Sequence, residues 1–248
     1  MHPGNETQKK KTSPWLYVGL GCGGLLLLGV LALGAFFWFV ARKVDDFEKG
    51  MNDPVVRKQE AQRLLGTQSF PEGYEAQMSL SVPLVLDMTV LGPKGMEGDS
   101  MLGAGTGFIY IHMLLEQADQ ERKVRDYVEG RSDASPGVLV GNDFRLDVSE
   151  MLGRGELPSE GHTVRYVNQR GTFTLSADED GGKDESVQGL SSLVLFQCEK
   201  SSRLRLGVWF TPDPAPDTKV GAPELEGTPA DTEAVRRFMS HFHPCQKS

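Results

Sequence analysis

Two histidines and a cysteine lie close together at the C-terminal end of the chain, as His241, His243 and Cys245. Imidazole and thiolate groups bind soft metal ions, so this spacing indicates a candidate metal site. Side chains two positions apart on a helix diverge by about 200°, so the two imidazoles converge only if the helix has already ended. The alternative is a pair of solvated histidines that the helix dipole stabilises. Since no second cysteine–histidine cluster exists, we favour this alternative and predict no metal and no cofactor.

Cys198 and Cys245 are the two cysteines outside the apolar N-terminal segment. In an oxidising compartment, a cysteine in a strand and another just after the last helix can form a disulfide that joins helix to sheet. A loop of this length predicts about 2–4 kcal/mol of stabilisation. The alternative is two unpaired thiols, one of them buried in the core. We predict the disulfide for an exported domain.

The short motifs that mark well-known catalytic sites are absent from the sequence. It contains no GxSxG, SxxK, HExxH or P-loop pattern. His112 and His162 are single histidines near predicted strands, and such histidines are mostly structural. We therefore predict no catalytic residues, while an enzyme with an unfamiliar site remains the alternative.

A long apolar segment near the N-terminus has the properties of a membrane anchor for the rest of the chain. Residues 15–40 include no charged residue and would span roughly 39 Å as a helix, enough for a hydrocarbon core of about 30 Å. Trp15 and Trp38 suit the two membrane interfaces. A cleaved signal peptide is the alternative, but its apolar region would be shorter. We predict a retained transmembrane helix in which Gly19 and Gly23 are spaced for helix pairing.

The charge is distributed unevenly around this segment. Residues 1–43 contain five Lys or Arg and one acid, which leaves 21 basic and 33 acidic residues beyond them, a net charge of −12. Such a domain repels phosphate backbones, so nucleic acid is excluded as an expected partner. Basic residues flank both ends of the helix, and the short N-terminal tail favours a cytoplasmic N-terminus with an exported C-terminal domain.

Residues 41–69 have the pattern of a stalk with one short helix. Asp53 is suited to cap the helix and Pro54 to its first position, and Gly66 is a C-terminal stop. The apolar residues between them would contact the domain or a partner. Residues 1–14 then form a cytoplasmic tail, and residues 70–248 form the extracytoplasmic domain.

The domain alternates strand patterns with two helix patterns. The last helix is expected to begin at Thr228-Pro229, with one apolar stripe through Val235, Phe238, Met239 and Phe242. This order predicts an α+β fold, an antiparallel sheet with helices packed on one face. Three hairpins are predicted: 138–140 with 144–148, 164–167 with 172–176 around a turn at 168–171, and 192–198 with 203–210.

The segment DPVVRKQEAQRLLGTQSFPEGYEAQMSL, followed by VLDMTVLG, resembles a pattern in membrane-anchored bacterial proteins of unknown function. There an Asp-Pro helix leads to a Pro-x-Gly-Tyr sequence, here Pro71 to Tyr74, and to the first strands. The resemblance covers about a quarter of the chain and implies an extracytoplasmic domain without a known activity. The strand-rich body closed by a C-terminal helix is also similar in layout to the PsbP/Mog1 architecture.

Together these patterns indicate a membrane-tethered accessory or interaction module of the bacterial envelope, anchored in the inner membrane through residues 15–40. Its expected partners are the membrane and another envelope protein. An envelope enzyme with an unrecognised active site is the first alternative, and a metal-handling protein that uses His241, His243 and Cys245 is the second.

Overall fold

The computed structural model describes ten stretches of the domain and none of the first 52 residues. The predicted cytoplasmic tail and transmembrane helix therefore lie outside the described residues. Within those residues, every helix is too short or too polar to cross a membrane. The described residues are 53–82, 85–95, 105–113, 118–140, 144–159, 162–175, 185–199, 201, 203–216 and 223–246.

Three α-helices, one short 3-10 helix at Pro223–Leu225 and eight strands form the described part of the chain. The helices are α1 (Pro54–Leu65), α2 (Ala118–Val128) and α3 (Thr232–Met239). The strands are β1 (Tyr74–Val82), β2 (Leu86–Pro93), β3 (Gly107–Met113), β4 (Val138–Val140), β5 (Phe144–Ser159), β6 (His162–Leu175), β7 (Glu185–Cys198) and β8 (Arg205–Pro212).

All eight described strands belong to one antiparallel sheet in the order β1-β2-β3-β8-β7-β6-β5-β4. Neighbours in the sheet are consecutive in the chain except where β3 pairs with β8. The last strand, β8, therefore lies inside the sheet, between β3 on one side and β7 on the other. This arrangement confirms the α+β class and the antiparallel sheet.

Two of the three predicted hairpins are confirmed, and the middle one is wrong. The chain does not turn at residues 168–171, because β6 runs through them without a break. Ser192 Oγ donates to Asn168 Oδ1 at 2.8 Å, and the Tyr127 hydroxyl donates to Gln169 Oε1 at 2.7 Å. Gly171 is needed because a Cβ there would lie 2.3 Å from the Asp147 carbonyl oxygen of β5. The polar residues and the glycine at 168–171, which led to the turn prediction, are thus explained by buried hydrogen bonds and by close packing of β6 against β5.

Helices cover both faces of the sheet, so the prediction that they pack on one face is wrong. In β3, Phe108 and Tyr110 pack with α1 and α3, while Ile109 and Ile111 pack with α2 on the opposite face. All four side chains are buried. A strand covered on both faces has a nearly continuous apolar sequence instead of a wet face.

Helix α1 has the predicted ends and is attached to the sheet. The carboxylate of Asp53 accepts from the backbone N–H groups of Val55 and Val56, and Gly66 ends the helix with φ 61°. Ala61, Leu64 and Leu65 are buried in the cluster that α1 shares with α3 and the sheet. The helix in the predicted stalk thus packs on the domain, while Val55 and Val56 stay exposed.

Helix α3 begins later than predicted. Its N-cap is Asp231, whose side chain accepts from Glu233 N–H at 2.9 Å. The predicted cap Thr228 donates its hydroxyl to the Leu225 carbonyl at 2.6 Å, so it stabilises the preceding turn instead. The predicted apolar stripe is confirmed: Val235, Phe238, Met239 and Phe242 are all buried, the last of them beyond the helix end.

Candidate functional site

Polar side chains form a row across the first strands at one end of the sheet. Asp87 in β2 pairs directly with Ser81 in β1 and with His112 in β3. Ser81 Oγ donates to Asp87 Oδ1 at 2.6 Å, and His112 Nδ1 lies 3.1 Å from Asp87 Oδ2. Both side chains of the Asp87–His112 pair are largely buried, with 14% and 12% exposed.

The Asp87 carboxylate keeps its negative charge despite this burial. Burial by itself raises its pKa, but the hydrogen bonds from His112 and Ser81 and the positive charges of His112 and Arg63 outweigh that effect. The net result is a pKa of Asp87 below its ordinary value. A charged carboxylate on Nδ1 holds the imidazole in one orientation and leaves Nε2 outside the bond to Asp87.

Arg205 in β8 extends the row beyond His112, its direct neighbour in the sheet. Arg205 Nη1 lies 3.3 Å from Cys198 Sγ, and the positive charge of the guanidinium acts on the phenol of Tyr110. Burial raises the pKa of the Tyr110 phenol, which therefore stays protonated. His112 Nε2 and Arg205 Nε are buried without a hydrogen-bond partner in the described structure.

This arrangement has part of the geometry of an acid–base site. The Asp87–His112 pair could take up a proton at Nε2. However, Ser81 donates to the same carboxylate as His112, and the imidazole does not accept the serine proton. A serine nucleophile needs that proton acceptor, so the three residues do not form a Ser-His-Asp relay.

The cysteines at residues 198 and 245 are joined by a disulfide, the pairing selected by sequence reasoning. Their sulfur atoms lie 1.96 Å apart and their Cα atoms 5.3 Å apart. The bond connects the end of β7 to the segment after α3. Close by, His243 N–H donates to the Leu65 carbonyl of α1 at 2.8 Å.

The three candidate metal ligands therefore do not form one site. The sulfur of Cys245 is used in the disulfide and is not available as a thiolate. His243 packs edge-on against His162, with ring centroids 6.0 Å apart, and His241 follows α3 without joining this pair. No group of three or more His, Cys, Asp or Glu in the described residues is arranged to hold a metal ion. A metal-handling role therefore loses the ligand set that suggested it.

A groove of about 670 Å³ lies between the N-terminal half of α1 and the start of β1. This volume is within the range of about 300–1,000 Å³ that is typical of ligand sites. We call it the α1–β1 groove. Its walls are formed by Pro54, Val55, Arg57, Lys58, Gln59, Gln62, Gln68, Ser69, Phe70, Tyr74, Glu75, Ala76 and Lys94.

Positive charge dominates this groove, although the chain is acidic. Three cationic side chains, Arg57, Lys58 and Lys94, line it together with one acid, Glu75. Glu75 Oε1 accepts from Gly95 N–H at 2.9 Å and so holds the turn after β2. The groove thus combines a net positive rim with apolar and aromatic surface.

Neither the polar row nor the groove was predicted from the sequence. Asp87 and His112 are separated by 24 residues in the chain, and only the register between β2 and β3 brings them together. The one sequence signal for the polar row was Asp87, a charged residue inside the apolar sequence of β2. A buried carboxylate needs hydrogen-bond partners. The groove had no sequence signal beyond the exposed valines at the start of α1.

Comparison with known proteins gives no further assignment. No family model matches the chain, and neither the curated proteins nor the solved structures provide a significant match.

Proposed function

We propose that the chain is a membrane-tethered, extracytoplasmic interaction module of the bacterial envelope, which binds another envelope polypeptide through the α1–β1 groove. The observation that carries the proposal is this groove, which is open to solvent and chemically unlike the acidic remainder of the domain. The apolar sequence of residues 15–40 is long enough for a transmembrane helix and supports a tether. The Cys198–Cys245 disulfide supports an oxidising compartment.

The position of α1 favours a role in binding. Val55 and Val56 in its first turn are 62% and 38% exposed, and Val55 lies on the wall of the groove. Large apolar side chains beside a concave surface are typical of interaction sites, where burial against a partner removes them from water. Because α1 is fixed on the sheet by Leu64 and Leu65, the groove is formed before any partner arrives.

Site-specific photo-crosslinking in the native membranes of the source cells tests this proposal. A photoreactive amino acid replaces Val55 in the full-length chain, and a matched chain carries it at Lys123, an exposed position on α2. We expect a discrete crosslinked product with one other polypeptide from position 55 and none from position 123. The same products from both positions, or none from position 55, would contradict an interaction role for the groove.

The Asp87–His112 pair supports a second candidate, an envelope enzyme that uses His112 Nε2 as a proton acceptor. Its nucleophile would have to come from the substrate or from water, since Ser81 is bonded to Asp87. Hydrolysis of a panel of ester and amide substrates by the full-length protein, compared with His112→Gln, tests this candidate. Turnover that His112→Gln abolishes supports the enzyme, and turnover that is absent or equal in both proteins excludes this site.

A further inference from the structure

We infer that the α1–β1 groove recognises an acidic, extended polypeptide segment and binds it through side-chain contacts along α1. This inference rests on the proposed function and adds the chemistry of the partner. The occupant would carry carboxylates spaced to reach the lysines of the groove, with apolar side chains between them. Three features of the groove carry the inference: its charge, its apolar lining and the hydrogen bonds of the neighbouring strand edge.

The charge of the groove is available for a partner. Lys58 and Lys94 are exposed, and neither forms an ion pair with any residue that the structure describes. Glu75, the acid in the groove, is already bonded to Gly95 N–H and to the amide of Gln77. Within the described part of this chain, whose net charge is −8, two lysines outside any ion pair therefore attract carboxylates locally.

The shape of the site favours a narrow chain over a membrane surface. Val55, Phe70 and Tyr74 give the groove an apolar and aromatic lining, which suits the side chains of an extended peptide. A flat anionic bilayer would approach the whole acidic domain and be repelled by its net charge of −12 beyond residue 43. A peptide would meet only the positive groove.

The strand edge beside the groove is already occupied, which determines how a peptide can bind. Strand β1 is at the edge of the sheet, but Arg57 Nε donates to the Ala76 carbonyl at 2.7 Å. Tyr74 N–H donates to the Pro71 carbonyl at 3.1 Å. These bonds block the pairing that an added strand needs at this position. Recognition therefore depends on side chains of the groove more than on backbone pairing.

Peptide binding to the full-length protein in nanodiscs of zwitterionic lipid tests the inference. The probe is a fluorescent, end-capped peptide of alternating glutamate and leucine, and its control has glutamine in place of every glutamate. We expect the acidic peptide to bind at least about tenfold more tightly at low salt, with an affinity that falls as salt is added. Lys58→Gln and Lys94→Gln should each weaken binding about fivefold, while Lys123→Gln on α2 should leave it unchanged.

Each other outcome overturns the inference in a recognisable way. Equal binding of both peptides, or equal affinity in all three lysine variants, excludes an acidic occupant of the groove. Loss of peptide binding in nanodiscs that contain anionic lipid, relieved by Lys58→Gln, would instead assign the groove to lipid headgroups. If neither peptide binds but position 55 still crosslinks to a polypeptide in native membranes, the proposed function stands and only the acidic partner is wrong.

Discussion

Asp87 and His112 occupy directly paired positions of β2 and β3, and a hydrogen bond of 3.1 Å joins the Oδ2 and Nδ1 atoms of their side chains. The pair couples the fold to pH, because the carboxylate has a pKa below its ordinary value. Its charged form therefore stabilises the folded domain above the unfolded pKa of about 3.9. That contribution is lost as the pH falls through the lower pKa of the folded state.

Replacement of Asp87 by asparagine should make this pH dependence visible. We expect Asp87→Asn to lower the free energy of unfolding at neutral pH, because the amide cannot replace the charge that holds His112 and Ser81. The difference from the wild-type protein should shrink in acid, as the wild-type carboxylate becomes protonated. Denaturant unfolding over a series of pH values measures both effects. Asp119→Asn, at an exposed ion pair on α2, serves as the control and should change little at any pH.

Gly66 should be among the least replaceable residues of the domain. It has a left-handed backbone with φ 61°, and an added Cβ would lie 2.1 Å from the His243 carbonyl oxygen. We expect Gly66→Ala to destabilise the domain by more than the roughly 1–2 kcal/mol that a left-handed conformation costs an ordinary residue. Gly73→Ala is a matched control, since Gly73 has φ 82° and open space around it. Equal losses in thermal unfolding would show that the contact with His243 does not matter.

The disulfide should contribute measurably to stability. Cys245→Ser is expected to lower the free energy of unfolding by about 2–4 kcal/mol, because the unfolded chain gains the freedom of an open loop. Chemical denaturation with and without a reducing agent measures the effect, and the reducing agent should act on the wild-type protein alone. A variant as stable as the wild-type protein would mean that packing of α3 holds the C-terminal segment without the bond.

Arg205 should control the reactivity of Cys198 once the disulfide is reduced. Its Nη1 atom lies 3.3 Å from Cys198 Sγ, and a positive charge at that distance stabilises a thiolate. We expect Arg205→Gln to slow alkylation of Cys198 in the reduced protein by about tenfold at neutral pH. Arg203→Gln, at an exposed position before β8, is the control. Mass spectrometry of the time course gives the rate at each cysteine separately, and equal rates in the two variants would contradict the expected role.

Several elements could be predicted because their signals are local. The caps of α1 at Asp53 and Gly66 depend on neighbouring residues, and so does the apolar stripe of α3. The period-two spacing of Leu206, Val208 and Phe210 in β8 is a local signal of the same kind, and the three side chains share one buried cluster. The disulfide partners followed from a choice between few cysteines.

Other features depend on contacts that are distant in the chain. In the continuous strand β6, Gln169 and Asn168 accept hydrogen bonds from Tyr127 and Ser192, and no local pattern in the sequence indicates those partners. The covered second face of the sheet depends on where α2 packs. The polar row at Asp87 depends on strand register, which the sequence constrains only after the topology is known.

The bond between His243 N–H and the Leu65 carbonyl brings the last described segment beside the C-terminal end of α1. The C-terminal segment of the domain therefore lies one helix length from the first described residues, at the start of α1. A helix of 12 residues is about 18 Å long, so an extended linker of roughly six residues would reach from the C-terminal segment to the start of α1. The domain should accordingly tolerate circular permutation through such a linker, with new ends opened in a surface connection. Its architecture would then depend on which strands pair, and not on where synthesis of the chain begins.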